Sequence, residues 1–224
     1  MIKNISNLGD AALYCDFGIE VNKQINSEVI KYFNTIKEKN IEGINNLTPS
    51  YNKLIISYDL RVTNFKEIKD KIEKLDVGEA LKINNKKLEI PVCCDASFSL
   101  DMARLENKLN LTKEKILENF FNKEFFCYMT GFIAGMPFLG DLDENMRVQR
   151  LETPRVKVPK GSVGITEQFA DIYTFESPGG WNIIGNTPLE VFDSTKEIEP
   201  NLINPGDTVK FKQITLDEYK NYNE

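Results

Sequence analysis

Five cations, Arg147, Arg150, Arg155, Lys157 and Lys160, fall within 14 consecutive positions of a net-acidic chain, and the last runs into Gly161, Ser162, Val163 and Gly164. Guanidinium forks and ammonium charges beside a Gly-Ser turn with free backbone N–H groups suit a phosphate or carboxylate ligand. The same spacing also suits a solvated charged edge. A second candidate is the run Gly131 to Gly140, where Gly131, Gly135, Pro137 and Gly140 stand among Phe132, Ile133, Met136, Phe138 and Leu139. Glycines allow close approach of the backbone to a ligand, so the run reads as a binding loop or as a tight apolar loop sealing a barrel end. Third, Ser177, Pro178, Gly179 and Gly180 form a turn that aims Trp181, the sole tryptophan, either at a pocket wall or into a core.

The chain contains no histidine. That excludes Ser-His-Asp and Cys-His catalysis, HExxH zinc sites and imidazole proton shuttles. Any general base must be a carboxylate, and Asp141, Asp143, Glu144, Glu167, Asp171 and Glu176 all flank the candidate loops without the spacing choosing among them. No GKS or GKT follows a glycine loop and GxGxxG is absent, so neither nucleotide fingerprint is present. The residues designate no metal ligands and no nucleophile.

The elements that must position these residues fall into two groups. Up to about residue 90, short strands alternate with helices: strands at Ile2–Ser6 and Ala11–Phe17, a helix between Asn22 and Asn40, strands at Ile44–Pro49 and Lys53–Tyr58, and a helix opened by an Asn64-x-x-Glu67 capping pattern. Strands at Ala80–Ile83 and Lys87–Val92 close the segment. The order ββαββα predicts helices on one face of a mainly antiparallel sheet. Residues 99–122 read as two helices, the second capped by Thr112, and Glu124–Phe132 as a buried strand. Between Gly131 and Pro188 lie eight of the 13 glycines and five of the nine prolines, which excludes long helices and predicts a β-barrel or sandwich.

With 224 residues, 41% apolar and 28% charged, the chain is long and apolar enough for one large or two small domains. A net charge of −6 offers no broad cationic surface, so neither nucleic acid nor a membrane surface is expected as a partner. Cys15, Cys93, Cys94 and Cys127 show no CxxC spacing and the N-terminal stretch has no apolar signal region, so buried free thiols and a cytoplasmic location are expected.

Several dispersed motifs, in order, resemble one family. They are Tyr128-Met-Thr-Gly-Phe132 with Gly135, Pro137, Leu139 and Gly140; Thr153-Pro-Arg155; Val158-Pro-Lys-Gly-Ser-Val-Gly-Ile165; and Ser177-Pro-Gly-Gly-Trp181 with Ile184, Gly185, Thr187 and Pro188. Together with Leu8-Gly-Asp-Ala-Ala12 and Pro49-Ser-Tyr51, these are similar to the B subunits of prokaryotic 5-oxoprolinase. That family also contains the sporulation-kinase inhibitor KipI and was long known under the name allophanate hydrolase. The resemblance implies an α+β fold, with an N-terminal α+β sandwich-like domain over residues 1–88 and a C-terminal cyclophilin-like β-barrel over 89–224. It further implies work with the C and A subunits of 5-oxoprolinase to activate 5-oxoproline with ATP as co-substrate, or alternatively inhibition of a sensor histidine kinase by protein contact. The substrate or nucleotide site it implies comprises Gly131, Phe132, Gly135, Pro137, Arg155, Lys160, Gly161, Ser162, Gly179, Gly180 and Trp181. The chain departs from the family's usual pattern at Ala134, Met136, Phe138 and Asn186, and lacks a histidine near Phe121.

Overall fold

The structure, a computed structural model, describes residues 1–78 and 85–222. The chain forms two compact units, Met1–Asn84 and Asn85–Glu224. In the first, the strands are β1 (Asn4–Asn7), β2 (Ala12–Asp16), β3 (Ile44–Pro49) and β4 (Lys53–Tyr58), and the helices are α1 (Lys23–Lys39) and α2 (Phe65–Glu73). The sheet has the order β1-β2-β4-β3 and every pairing is antiparallel. Alternation along β2 and β4 puts Leu13, Cys15, Leu54 and Ile56 on one face, where Val29 and Ile36 of α1 and Ile68 and Ile72 of α2 cover them. Helix α1 begins where the Asn22 side chain accepts the Ile25 N–H at 2.9 Å, and it ends at Asn40 in the left-handed region. At α2 the Asn64 side chain accepts the Glu67 N–H, but the Glu67 carboxylate takes the Thr63 hydroxyl instead of completing the expected box. The strand expected at Ala80–Ile83 lies outside the described residues.

The second unit comprises β5 (Lys87–Cys93), α3 (Met102–Leu109), α4 (Lys113–Phe121), β6 (Glu124–Thr130), β7 (Pro137–Gly140), a 3₁₀ turn (Glu144–Met146), β8 (Arg155–Val158), β9 (Ser162–Thr166), β10 (Phe169–Ile172), β11 (Ser177–Gly179), β12 (Asn182–Asn186), β13 (Thr208–Ile214) and α5 (Leu216–Lys220). Seven strands close a barrel in the order β10-β7-β6-β13-β5-β12-β9. The division falls after Asn84 rather than after residue 88, because β5 pairs parallel with β13 along its whole length and also meets β12. All seven barrel strands contribute to one core, with Val92, Phe125, Leu139, Ile165, Ile172, Ile184 and Phe211 inside and Phe120 of α4 packed among them. Strand β6 ends at Thr130, two residues short of expectation, because Phe132 adopts φ 70° and stands 75% exposed. All four cysteines are buried free thiols, and no helix among the described residues is long and apolar enough to cross a membrane.

The pleat has a second consequence. On β10, Ala170 and Ile172 point into the barrel, so Asp171 and the following Tyr173 take the opposite face. Phe138 of β7 and Ile183 of β12 do likewise. This outer wall carries a small core of its own, with Met136, Val158, Tyr173 and Ile183 buried and Phe138 and Trp181 packed against them. It is covered in part by β8, which pairs only with β11 in a two-stranded ribbon separate from the barrel's sheet.

Candidate active site on the outer barrel wall

Asp171 is the most deeply placed charged residue of this wall, with no exposed surface. Its Oδ1 accepts the Gly164 N–H at 3.0 Å, while Oδ2 has no hydrogen-bond partner among the described residues. Burial raises its pKa well above the ordinary carboxylate range. Gly164 is required opposite it, since a β-carbon there would stand 2.6 Å from Oδ1 and 3.0 Å from the Trp181 Cβ.

Tyr173 is held by its backbone N–H donating to Ser162 O at 2.9 Å, and its buried hydroxyl is approached by the Trp181 backbone N–H. Burial first, and then the negative charge of Asp171, raise its pKa, while the Trp181 backbone N–H and then the charges of Arg150 and Arg155 act in the opposite sense. Tyr173, Asp171, Arg150 and Arg155 therefore share one electrostatic neighbourhood. A β-carbon on Gly179 would overlap the Tyr173 hydroxyl, which fixes glycine at that position of β11.

Arg155 opens β8 opposite Gly179. Its Nη2 donates to Asp101 Oδ1 at 2.5 Å, and Asp101 Oδ2 accepts the Ile183 N–H at 2.7 Å. Asp101 is 5% exposed and sits at the start of α3, yet its carboxylate makes no capping bond to that helix. It clamps one arm of the guanidinium to the wall and leaves Nη1 buried without a partner. Ser177 Oγ, on the facing strand, is likewise unpartnered.

The structure thus brings part of the expected site together and disperses the rest. Phe138 packs edge-on against Trp181 with ring centroids 5.5 Å apart, so the Gly131–Gly140 run and the Ser177–Trp181 turn lie side by side. Pro137 is buried at the start of β7, and the Gly131 N–H donates to Met136 O, closing the loop on itself. Gly135, at φ 71°, is pressed against Phe192 and not against the wall. Phe132 points to solvent. Gly180 abuts the Arg150 guanidinium, where a β-carbon would stand 3.1 Å from Nε.

Lys160 does not join Arg155: its ammonium pairs with Glu190 at 2.7 Å on the surface. Lys157 pairs with Glu176 there as well. The amides expected to cradle an anion are already used, since Gly161 N–H donates to Tyr173 O, Ser162 N–H to Pro159 O and Gly164 N–H to Asp171. The residues that sequence reasoning missed are Asp101 and Tyr173. Asp101 is 54 residues from Arg155 in the chain and looks like an ordinary helix cap, so no local signal marked it.

Chemically, the wall offers a guanidinium N–H for an anion, two hydroxyls, and one carboxyl whose environment favours the protonated form. Among the described residues no group of three or more His, Cys, Asp or Glu side chains converges as metal ligands. In the first unit, a groove of about 340 Å³ between α1 and β3 is lined by Phe33, Ile36 and Leu47 with exposed Lys37 at its rim, and it shows no comparable convergence of buried polar groups.

Comparison with known proteins adds family context. Residues 3–203 match the family "Carboxyltransferase domain, subdomain C and D". The chain is similar to the 5-oxoprolinase B subunit of Bacillus subtilis, at 33% identity over 98% of this chain and 96% of that one. It is also similar to the 5-oxoprolinase B subunit of Haemophilus influenzae, at 32% identity over 93% of this chain and 96% of that one. Among solved structures, the protein TTHA0988 superposes with a TM-score of 0.82 at 27% identity over 92% of this chain, which spans 40% of that protein's length.

Proposed function

The chain belongs to the family of carboxyltransferase domains, subdomains C and D, and from that premise we propose that it serves as the B subunit of a 5-oxoprolinase. In this reading it acts with a C subunit to activate 5-oxoproline at the expense of ATP, before an A subunit completes hydrolysis to glutamate. The near full-length likeness to two 5-oxoprolinase B subunits carries the reading. The chemistry of the outer wall is compatible with it. A lactam is a resonance-stabilised amide, and transfer of a phosphoryl group to its carbonyl oxygen makes the ring carbon electrophilic toward water. A site for that chemistry needs a cation for the substrate carboxylate and a group that exchanges a proton at the amide, for which Arg155 and Asp171 are suited.

The nucleotide is a second requirement, and this chain carries neither nucleotide fingerprint. We place its binding with the partner subunits, with exposed Arg150 beside Gly180 as this chain's contribution. The test is ATP consumption dependent on 5-oxoproline, with this chain and its A and C subunits present and each omitted in turn. Consumption that requires this chain is expected. Absence of 5-oxoproline-dependent consumption by the full set, together with inhibition of a sensor histidine kinase by this chain alone, would overturn the reading in favour of a regulatory one.

A further inference from the structure

Three polar side-chain atoms buried without a hydrogen-bond partner among the described residues, Arg155 Nη1, Asp171 Oδ2 and Ser177 Oγ, stand in one neighbourhood with the buried Tyr173 hydroxyl. Arg155 faces Gly179 across the β8–β11 ladder, and the backbone of Gly179 lies against the Tyr173 hydroxyl. The charges of both Asp171 and Arg155 act on that hydroxyl. Ser177 precedes Gly179 by two positions on β11 and so shares its face. A buried donor or acceptor left unpaired costs about 1–3 kcal/mol, and native proteins rarely accumulate several in one place without a reason.

The order of the groups is informative. At one end is a guanidinium arm, held in place because its other arm is clamped by Asp101. At the other is a carboxyl whose burial favours the protonated form, so that it presents an O–H donor next to an acceptor oxygen. A guanidinium matches a carboxylate. A carboxylic acid matches the edge of a cyclic amide, where ring closure holds the N–H and C=O side by side. The charges of both groups act on the Tyr173 hydroxyl, which can donate or accept beside them.

Resting on the functional reading above, we propose that Arg155, Asp171, Tyr173 and Ser177 form the recognition site for a small carboxylate-bearing lactam, with Arg155 Nη1 donating to the carboxylate and the Asp171 carboxyl pairing with the amide edge. Asp101 is the positioning residue for Arg155. Because the four atoms are covered, entry requires the β8–β11 ribbon to lift from the wall, which its separation from the barrel's hydrogen-bonded ring permits.

The test is calorimetric titration of the full chain, alone and in complex with its C subunit, with 5-oxoproline, with 2-pyrrolidone, which lacks the carboxylate, and with proline, which lacks the lactam carbonyl. 5-Oxoproline should bind at least tenfold more tightly than either fragment. Arg155→Lys, which keeps a charge for Asp101 but loses the forked donor, and Asp171→Leu should each weaken it by about tenfold to a hundredfold. Asp171→Asn, which keeps a donor beside an acceptor, should stay within about threefold of the unsubstituted protein and so separates loss of pairing from loss of fold. Binding of 5-oxoproline by neither form of the protein, or binding unaffected by Arg155→Lys and Asp171→Leu, would overturn the proposal. If the three-component mixture consumes ATP on 5-oxoproline while those variants remain unimpaired, only this assignment of residues fails. If the unsubstituted mixture consumes none, it is the functional reading that fails.

Discussion

Asp171 pays a stability penalty for its position. Its folded-state pKa lies above the ordinary value of 3.8, so burial favours the protonated form, and the favourable contribution is complete below that ordinary value and declines as pH rises toward the folded pKa. Asp171→Asn keeps an acceptor for the Gly164 N–H and has no charge to desolvate. It should therefore melt higher than the unsubstituted protein at pH 7 and lose that advantage toward pH 4, with each ~1 kcal/mol moving the midpoint by about 2–4 °C in a chain of this size. Melting curves across pH check this, and equal midpoints at pH 7 would contradict it. The thiols give a second prediction at this scale. Burial pushes Cys15 and Cys94 up to about 12 and Cys127 higher still, and Cys93 is buried as well. A thiolate-selective reagent at pH 8 should label none of the four quickly in the native protein and all four after denaturation. Rapid native labelling would show that one of them is accessible.

At the scale of elements, the loop before β7 is fixed by its own geometry and by its contact with Phe192. Gly135 has φ 71°, and the three atoms nearest to an added β-carbon all belong to Phe192, two of them at 2.6 Å. Gly135→Val thus combines left-handed strain with a clash in a packed contact. It should cost roughly 2–5 kcal/mol of stability, read by denaturant unfolding, before it alters any site. A variant of unchanged stability would mean that Phe192 moves aside freely. The ribbon of β8 and β11 is the complementary case. Its ladder is its own, its shift in register lies between Ser177 and Gly179, and the Arg155–Asp101 pair and the burial of Val158 in the outer-wall core tie it to the unit.

For the molecule as a whole, two large cores exist among the described residues, one under a four-stranded sheet with two helices and one inside a seven-stranded barrel, beside the small core of the outer wall. The basic cluster that stands out in the chain is mostly neutralised within the fold, since Lys157 pairs with Glu176, Lys160 with Glu190 and Arg155 with Asp101. Among the described residues no cationic cradle for a triphosphate is left at Gly161–Gly164. The purified chain alone should therefore show no ATP consumption in response to 5-oxoproline, measured by phosphate release, and should gain it only with its partner subunits. Turnover by the single chain would show that a nucleotide site is complete within it.

What the sequence determined was local. Asn22, Asn64 and Thr112 cap the helices they precede, β3 and β4 take the bounds that alternation and turn residues predict, and the glycine and proline density after residue 131 yields short strands. These features depend on neighbours within a few residues, which is why they are legible in a string. Dispersed motifs also marked the family. What only the tertiary structure decided was pairing across distance. It took Arg155 to an aspartate 54 residues earlier and Lys160 to Glu190, gave the Gly161–Gly164 amides to strand partners and capping bonds, and assigned β5 to the barrel through a parallel partner more than 100 residues later. It also chose Asp171 from six flanking carboxylates. The pleat turns that residue outward from the barrel core into the small core of the outer wall, and desolvation by that burial, which no spacing encodes, gives the carboxyl its chemistry.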